Sequence, residues 1–357
     1  MTAPIADSIG AITPEWLTQV LQEAGELTGE HVVGISSRPL GTGQMCDSFR
    51  LSVTYSASCN APATLVAKLP AADETSRNAA KLVRAYEKEV RFYQHLAAKL
   101  EVAAPRVFHC GLAEDTISFD LILADLAPAT QGDQLVGCTV AEAEDAMDQL
   151  VALHSPFWDD SRLLKYEWLV GDPDSYRNLM KDLLPMFWSG FQDRYGASIQ
   201  PHVLEAGNIL FPQIVTYLAA DESPLTVVHG DFRLDNLLFS PGDRRRLVGV
   251  VDWQTVAHGP GPRDVAYFIG AGLHVGDRRR SEESLVRRYY AGLVEAGVSS
   301  YSWLQCWDDY RKGAWSGLVM AVAASMLVER TERGDEMFLT MADRHARHAL
   351  DLKSPIG

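Results

Sequence analysis

The chain has 357 residues, of which 47% are hydrophobic and 22% charged, and a formal net charge of −15. This length and composition suit a soluble globular protein with a large core, built as one bilobal unit or two domains. The negative balance argues against a nucleic-acid or anionic-membrane partner and would tolerate a cationic substrate.

The first residues, MTAPIADSIGAIT, hold neither a basic region nor a long apolar run, so no secretory signal is expected. Thr13-Pro14-Glu15 then opens a helix, with a hydroxyl cap, a proline at the first helical position and an acidic residue behind it. Val33 and Ile35 suggest a strand leading into GTGQMCDSF, and Phe49, Leu51, Val53 and Tyr55 alternate with polar residues as a second strand. Gly41 and Gly43 therefore sit in a strand–turn–strand setting, where backbone amides can approach phosphate oxygens without interference from a Cβ. A plain hairpin turn is the alternative for that segment.

Leu65 to Leu69 is an apolar strand interrupted by Lys68, and a lysine there needs a partner for its ammonium. The spacing predicts a helix over 78–100, where Glu87 and Glu89 both offer one. Strands are expected near Pro105 and Val107 and over Ile117 to Leu123, the second ending in ADLAPATQGDQ. Beyond that point the pattern turns helical: Thr139-Val140-Ala141-Glu142 is a capping box ahead of AEDAMDQLVALH, and His154 reads as a packed or capping histidine at the helix end.

Residues 159–222 carry an aromatic, flexible set, Met180, Met186, Phe187, Trp188, Phe191 and Tyr195, which reads either as helix core or as the wall of a pocket for a bulky or apolar group. A further helix is predicted over 201–220. SEESLVRRYYAGLVEAG reads as a capped amphipathic helix, and long helices are expected from Tyr310 to Thr331 and from Asp335 to Leu352. The uncharged run from Gly313 to Val328 is short of a membrane span and reads as buried helix. His345 and His348 share a helical face without a third ligand pattern. Cys46, Cys59, Cys110, Cys138 and Cys306 are scattered, with no CxxC spacing, which favours free thiols in a reducing compartment and a cytoplasmic protein.

The stretch that carries chemistry is VVHGDFRLDNLLF followed by LVGVVDWQTVAHGPGPRDVAYF. Leu237-Leu238-Phe239 and Leu247 to Val251 flank a turn-rich segment and predict a β-hairpin. Such a hairpin would gather Asp231, Asn236 and Asp252 at one edge. Two carboxylates and an amide oxygen form a hard, oxygen-only set that suits Mg²⁺, and one carboxylate left over is what phosphoryl transfer to a hydroxyl needs.

HGD-x4-N followed by Asp-Trp resembles the catalytic and metal loops of the aminoglycoside phosphotransferase and choline kinase group of small-molecule kinases. The DWQ triplet with Asp264-Val265-Ala266-Tyr267-Phe268 is closer still to its ecdysteroid-kinase-like branch. The resemblance spans most of the chain, from roughly residue 30 to 345, and implies an α+β, protein-kinase-like bilobal fold. The expected division is a nucleotide-binding lobe over 1–123, an interlobe connection over 124–134 and a helical lobe over 135–357.

By that resemblance Glu89 is the partner of Lys68 at the α- and β-phosphates of ATP, and Ala124 and Leu126 offer backbone groups to adenine. Asp231 would orient and deprotonate the acceptor hydroxyl, and Asn236 and Asp252 would bind Mg²⁺. Carboxylates are weak bases toward alcohols, so orientation with late proton transfer is the expected emphasis. His229 and Asp264 would brace the catalytic loop. Gly230 stands where protein kinases have arginine, and no APE-like segment follows, which argues against a protein kinase. The expected activity is ATP-dependent phosphorylation of a small-molecule hydroxyl, with a bulky or hydrophobic alcohol as the first choice of acceptor and an aminoglycoside or choline-like one as the next. The alternative is a catalytically silent nucleotide-binding regulator of the same fold.

Overall fold

The strand Thr64–Pro70 (β3) shows how the first part of the chain folds. Leu65, Ala67 and Leu69 fall on one face of its pleat, which places Lys68 on the other. In this computed structural model, which describes residues 3–41, 45–219 and 223–356, β3 is the middle of a five-stranded antiparallel sheet. Its partners are β1 (Val32–Pro39), β2 (Cys46–Tyr55), β4 (Val107–Leu112) and β5 (Phe119–Ala124), in the order β1-β2-β3-β5-β4. Helix α1 (Pro14–Glu23) is capped by Thr13, whose hydroxyl accepts from the Trp16 N–H at 3.2 Å. It buries Trp16, Leu17, Val20 and Leu21 against Leu65, Ala67, Leu69 and Ile122.

The single helix expected over 78–100 is two helices, α2 (Glu74–Leu82) and α3 (Ala85–His95), divided by Arg84 at φ +58°. A non-glycine residue in that region costs about 1–3 kcal/mol, and a 2.9 Å ion pair to Glu87 accompanies it. After the break, α3 buries Tyr86, Glu89, Val90, Phe92 and Tyr93 together. No glycine or proline marks the site, so the pattern of the sequence runs straight through it.

The chain divides into two compact units. The first is the chain up to Lys99 with Ala104–Ala127 and Val251–Thr255, and the second holds Leu100–Ala103, Pro128–Val250 and the chain from Val256 on. The expected boundaries at 123 and 134 therefore move. Ala124–Ala127 stays with the sheet, and Val251–Thr255, expected with the helical lobe, joins the first unit. The physical reason is Trp253. Its ring is fully buried and stacks on Phe92 at 3.8 Å and 9°, and its backbone N–H donates to Glu89 Oε1 at 3.3 Å.

The second unit is helical with two small sheets. The strands β6 (Thr130–Gln131), β8 (Leu237–Phe239) and β9 (Leu247–Val250) form one, with β8 and β9 the expected hairpin, and β7 (Leu225–Val228) pairs with β10 (Ala257–Pro260) in the other. Helix α4 (Val140–His154) carries the expected capping box of Thr139 and Glu142. The short α5 (Glu167–Val170) precedes α6 (Pro173–Tyr195) and α7 (Pro201–Leu210). The single helix expected over 201–220 gives way at Phe211–Gln213 to a 3-10 turn, where Pro212 has no N–H to offer, before α8 (Ile214–Tyr217). From α6, Leu184, Trp188, Phe191 and Tyr195 enter the core, where Trp188 stacks on Phe211 at 5.0 Å and 12°. These aromatic side chains are core, while Met186 is exposed.

Helices α9 (Gly261–Gly272), α10 (Val275–Glu295), α11 (Trp303–Gly313), α12 (Ser316–Leu327) and α13 (Glu332–Leu352) complete the unit. Ser281 is not the cap of α10, which begins six residues earlier; its hydroxyl donates back to the Asp277 carbonyl at 2.7 Å. The long helix expected from Tyr310 to Thr331 is interrupted after Gly313, which lies so close to α9 that a Cβ would come within 3.0 Å of Arg263 Cα. The class is the expected α+β, an antiparallel-sheet unit and a helical unit. Among the described residues, no helix is long and apolar enough to cross a membrane.

Candidate active site

In the first unit, period two puts Lys68 on the face of β3 that α3 covers, and its ammonium is buried. Nζ donates to Glu89 Oε1 at 2.8 Å, with Oε2 at 2.7 Å, and to Asp252 Oδ1 at 2.8 Å. Burial works against the ammonium, but Asp252 and Glu89 outweigh it and hold Lys68 protonated well above its ordinary range. Burial likewise pushes the Glu89 carboxyl up, opposed by Lys68. Glu87, the competing partner, pairs with Arg84 instead. Asp252 takes φ +68°, a conformation that costs a non-glycine residue about 1–3 kcal/mol and is often found at functional sites. Its side chain is 38% exposed. Burial pushes the neighbouring Cys46 thiol up to about 12, so it sits in this pocket as a neutral group.

The turn after β1 has Gly41 at φ +74°, closed by a 2.8 Å bond from the Leu40 N–H to the Ser48 carbonyl. Gly43 lies outside the described residues. At the exit of β5, the Ala124 N–H is spent on the Arg106 carbonyl at 2.8 Å. The Leu126 N–H donates to no described residue. Asp125 between them is clamped by Arg50 at 2.7 Å, which fixes the course of the backbone there.

In the second unit the loop from His229 to Asn236 leaves β7 and is tied down from two sides. Asp264, on the first turn of α9, accepts the His229 N–H at 2.6 Å and the Gly230 N–H at 3.1 Å. Burial alone would raise this carboxyl, but His154, His229 and the loop backbone hold it below its ordinary value. His154 in turn meets Tyr289 at 2.8 Å, so the histidine at the end of α4 is packed beneath the loop. Gln134 accepts the Leu234 N–H at 3.0 Å and donates its own N–H to Asp235 at 3.1 Å. Gly230 at φ +81° makes the bend, a conformation in which the arginine of protein kinases would be strained.

Asp231 emerges from this loop with both carboxylate oxygens engaged. Oδ2 accepts from Arg233 Nε at 3.0 Å and Asn236 Nδ2 at 3.1 Å, and Oδ1 accepts from the Tyr267 hydroxyl at 2.6 Å. Asn236 Nδ2 also donates to the Asp231 carbonyl at 2.8 Å. Two acceptors facing Nδ2 set the orientation of the amide, and its Oδ1 is left accepting no bond from a described residue. Arg233 Nη1 reaches Asp235 at 2.9 Å, and the two carboxylates keep the guanidinium charged against burial. In this unit the Asn236 amide oxygen is a hard donor of the kind Mg²⁺ takes, and in the first unit the partly exposed Asp252 carboxylate is another.

The model of the phosphotransferase enzyme family matches residues 60–304, well over half of the sequence. The chain belongs to the phosphotransferase enzyme family. Solved structures with the same kinase-like fold include choline kinase from Cryptosporidium parvum Iowa II, at 12% identity and a TM-score of 0.57, with 96% of this chain and 95% of that one covered. Plasmodium vivax ethanolamine kinase matches at 9% identity and a TM-score of 0.55, with coverages of 96% and 90%. A type IIIa aminoglycoside phosphotransferase bound to GDP and kanamycin matches at 13% and 0.53, with 94% and 99% covered. A curated relative, an Arabidopsis thaliana protein described as a probable acyl-CoA dehydrogenase, is 49% identical over 41 residues. That match spans 5% of the relative's length.

Two site residues of this phosphotransferase escape a reading of the sequence. Arg233 stands two positions after Asp231 in DFRLDN, where it reads as an ordinary loop cation. Tyr267 lies 36 residues from Asp231 and is brought to it only by the way α9 docks under the loop. The signal for Tyr267 was its position three residues after Asp264, on the turn of α9 that follows the anchoring aspartate.

Proposed function

We propose that this small-molecule phosphotransferase moves the γ-phosphate of Mg²⁺-ATP to a hydroxyl group of a small molecule. The observation that carries this reading is the state of Asp231, an aspartate held by three donors on a loop whose backbone is itself tied to Asp264. An aspartate so fixed can align an acceptor hydroxyl and receive its proton. As the new bond to phosphorus forms, the bond from the γ-phosphorus to the bridging oxygen breaks and ADP leaves.

Lys68, oriented by Glu89, is suited to the α- and β-phosphates, and the Leu126 N–H with the Ala124 carbonyl to adenine. Gly41 and Gly43 would let the backbone approach the phosphates. Asn236 and Asp252 would supply oxygen donors to Mg²⁺, which neutralises charge on the phosphates when bound. His229 and Asp264 act as supports of the loop. Retention of Lys68, Asp231, Asn236 and Asp252 together favours an enzyme over a silent nucleotide-binding regulator.

Through the likeness of DWQ and Asp264-Val265-Ala266-Tyr267-Phe268 to the ecdysteroid-kinase-like branch, the first acceptor class is a bulky or hydrophobic alcohol, followed by an amino alcohol or aminoglycoside. The test is an ADP-release screen with Mg²⁺-ATP and Mg²⁺-GTP against sterols, aminoglycosides, amino alcohols, nucleosides and a hydroxyacyl-CoA, the last because of the acyl-CoA relative. The Asp231→Asn protein serves as the blank. Release above that blank with one class supports the reading and names the acceptor. A chain that binds no nucleotide contradicts it.

A further inference from the structure

Asp231 has four lone-pair sites in the plane of its carboxylate, and the structure distributes its donors unequally between the two oxygens. Oδ2 receives two, from Arg233 and Asn236, and is full. Oδ1 receives one, from the phenol of Tyr267 at 2.6 Å, and retains one accepting site. A hydroxyl that is to be aligned by Asp231 must therefore take the remaining position on Oδ1, beside the Tyr267 oxygen.

Tyr267 is itself rigidly placed. It is buried on α9, one turn after Asp264, and its ring stacks on the buried imidazole of His345 of α13 at 5.4 Å and 29°. Burial and the Asp231 carboxylate push the phenol well above its ordinary range, so it remains a donor. Burial, with the nearby charges of His348, Arg344 and Arg278, holds the His345 imidazole well below its own, and it serves as a neutral platform under the ring. α9 thus does two things one turn apart: Asp264 fixes the backbone of the loop, and Tyr267 fixes the side chain that the loop presents.

We infer that Tyr267 is a positioning residue for phosphoryl transfer, setting the rotation of the Asp231 carboxylate so that Oδ1 accepts the hydroxyl of the substrate. The inference rests on the kinase reading above. It differs from a packing role in one respect: all of its effect on turnover must pass through Asp231. Removing the phenolic oxygen leaves the ring, its stack on His345 and the core volume intact, and frees the carboxylate to rotate about its Oδ2 bonds.

The experiment is a double-mutant cycle of Tyr267→Phe and Asp231→Asn on the full chain. ADP release from Mg²⁺-ATP is followed with water alone and with kanamycin, ethanolamine, choline, cholesterol or a hydroxyacyl-CoA as acceptor. For the probe that works best, Tyr267→Phe is expected to lower kcat about 10- to 100-fold, the range of one hydrogen bond to a charged group. The KM for Mg²⁺-ATP should stay within about twofold of the wild-type value. Measured against a protein-free blank, the residual release of the Asp231→Asn protein should not fall further on the same change, which distinguishes positioning from general loosening of the fold. An unchanged kcat in Tyr267→Phe, or the same fold-loss in both backgrounds, overturns the inference while leaving the kinase reading standing. No release above the Asp231→Asn blank with any probe overturns the kinase reading and the inference with it.

Discussion

The two units solve opposite electrostatic problems. In the first, a buried cation, Lys68, is stabilised by two carboxylates, Glu89 and Asp252. In the second, an aspartate, Asp231, is held by three donors, Arg233, Asn236 and Tyr267. The first arrangement fixes a positive charge, which is what a polyphosphate needs for binding. The second fixes the direction of lone pairs, which is what a hydroxyl needs for reaction. On the proposed function, binding and chemistry would rest on different elements: β3 and α3 in one unit, the loop after β7 and α9 in the other. Substitutions in each should separate accordingly.

The largest expected effect is on turnover in Asp231→Asn, which keeps the side chain's shape and removes its charge. A loss of about 10³-fold or more in kcat is expected, the scale of deleting a group that acts on the reacting hydroxyl. Lys68→Met should come next and act differently. It leaves Glu89 buried without its counter-ion, a change that costs about 3–5 kcal/mol of stability, and it should weaken Mg²⁺-ATP binding measured by titration calorimetry. If Lys68→Met bound nucleotide as tightly as the wild-type chain, the contrast between the units would fail.

Asp264→Ala sharpens the comparison from the side of the second unit. It strips the buried His229 and Gly230 N–H groups of their acceptor, at about 1–3 kcal/mol each, with a matching fall in denaturant midpoint near pH 7. Its pH dependence follows from the sign of the shift. The folded carboxyl titrates below its ordinary value of 3.8, so its stabilisation is present above 3.8 and is lost as pH falls through the lower folded value. The gap between wild type and Asp264→Ala should therefore narrow at pH 3. A gap that widened there would contradict this assignment. The smallest effect is at Thr139→Ala, which breaks the capping box of α4, at about 1 kcal/mol in thermal melts and with kcat unchanged.

What the sequence discloses follows from how local each feature is. HGD-x4-N, Asp-Trp and the lysine within an apolar strand are local patterns, and the structure pairs Lys68 with Glu89 and Asn236 with Asp231. The capping box at Thr139 and the hairpin after Asn236 are equally local and stand where the residues place them. The breaks at Arg84 and after Gly313 carry no proline signal: Arg84 is a non-glycine residue at positive φ, and Gly313 lies against Arg263 of α9. Nor does a local pattern mark the role of Trp253, whose stack on Phe92 carries the Asp252 segment into the first unit. Tyr267 was visible in the sequence as part of DVAYF, but its bond to Asp231 depends on the docking of α9, which no spacing discloses. Of the aromatic residues of α6 that carried two readings, Trp188, Phe191 and Tyr195 are buried in the core and Phe187 packs partly buried against it.

The most direct test of the separation between binding and chemistry is titration of Mg²⁺-ATP into the Asp231→Asn and Lys68→Met proteins, with turnover measured on the same samples. Asp231→Asn should bind nucleotide with an affinity close to that of the wild-type chain and lose about 10³-fold or more in turnover, while Lys68→Met should lose affinity. Equal loss of nucleotide binding in both, or full turnover in Asp231→Asn, would contradict the account.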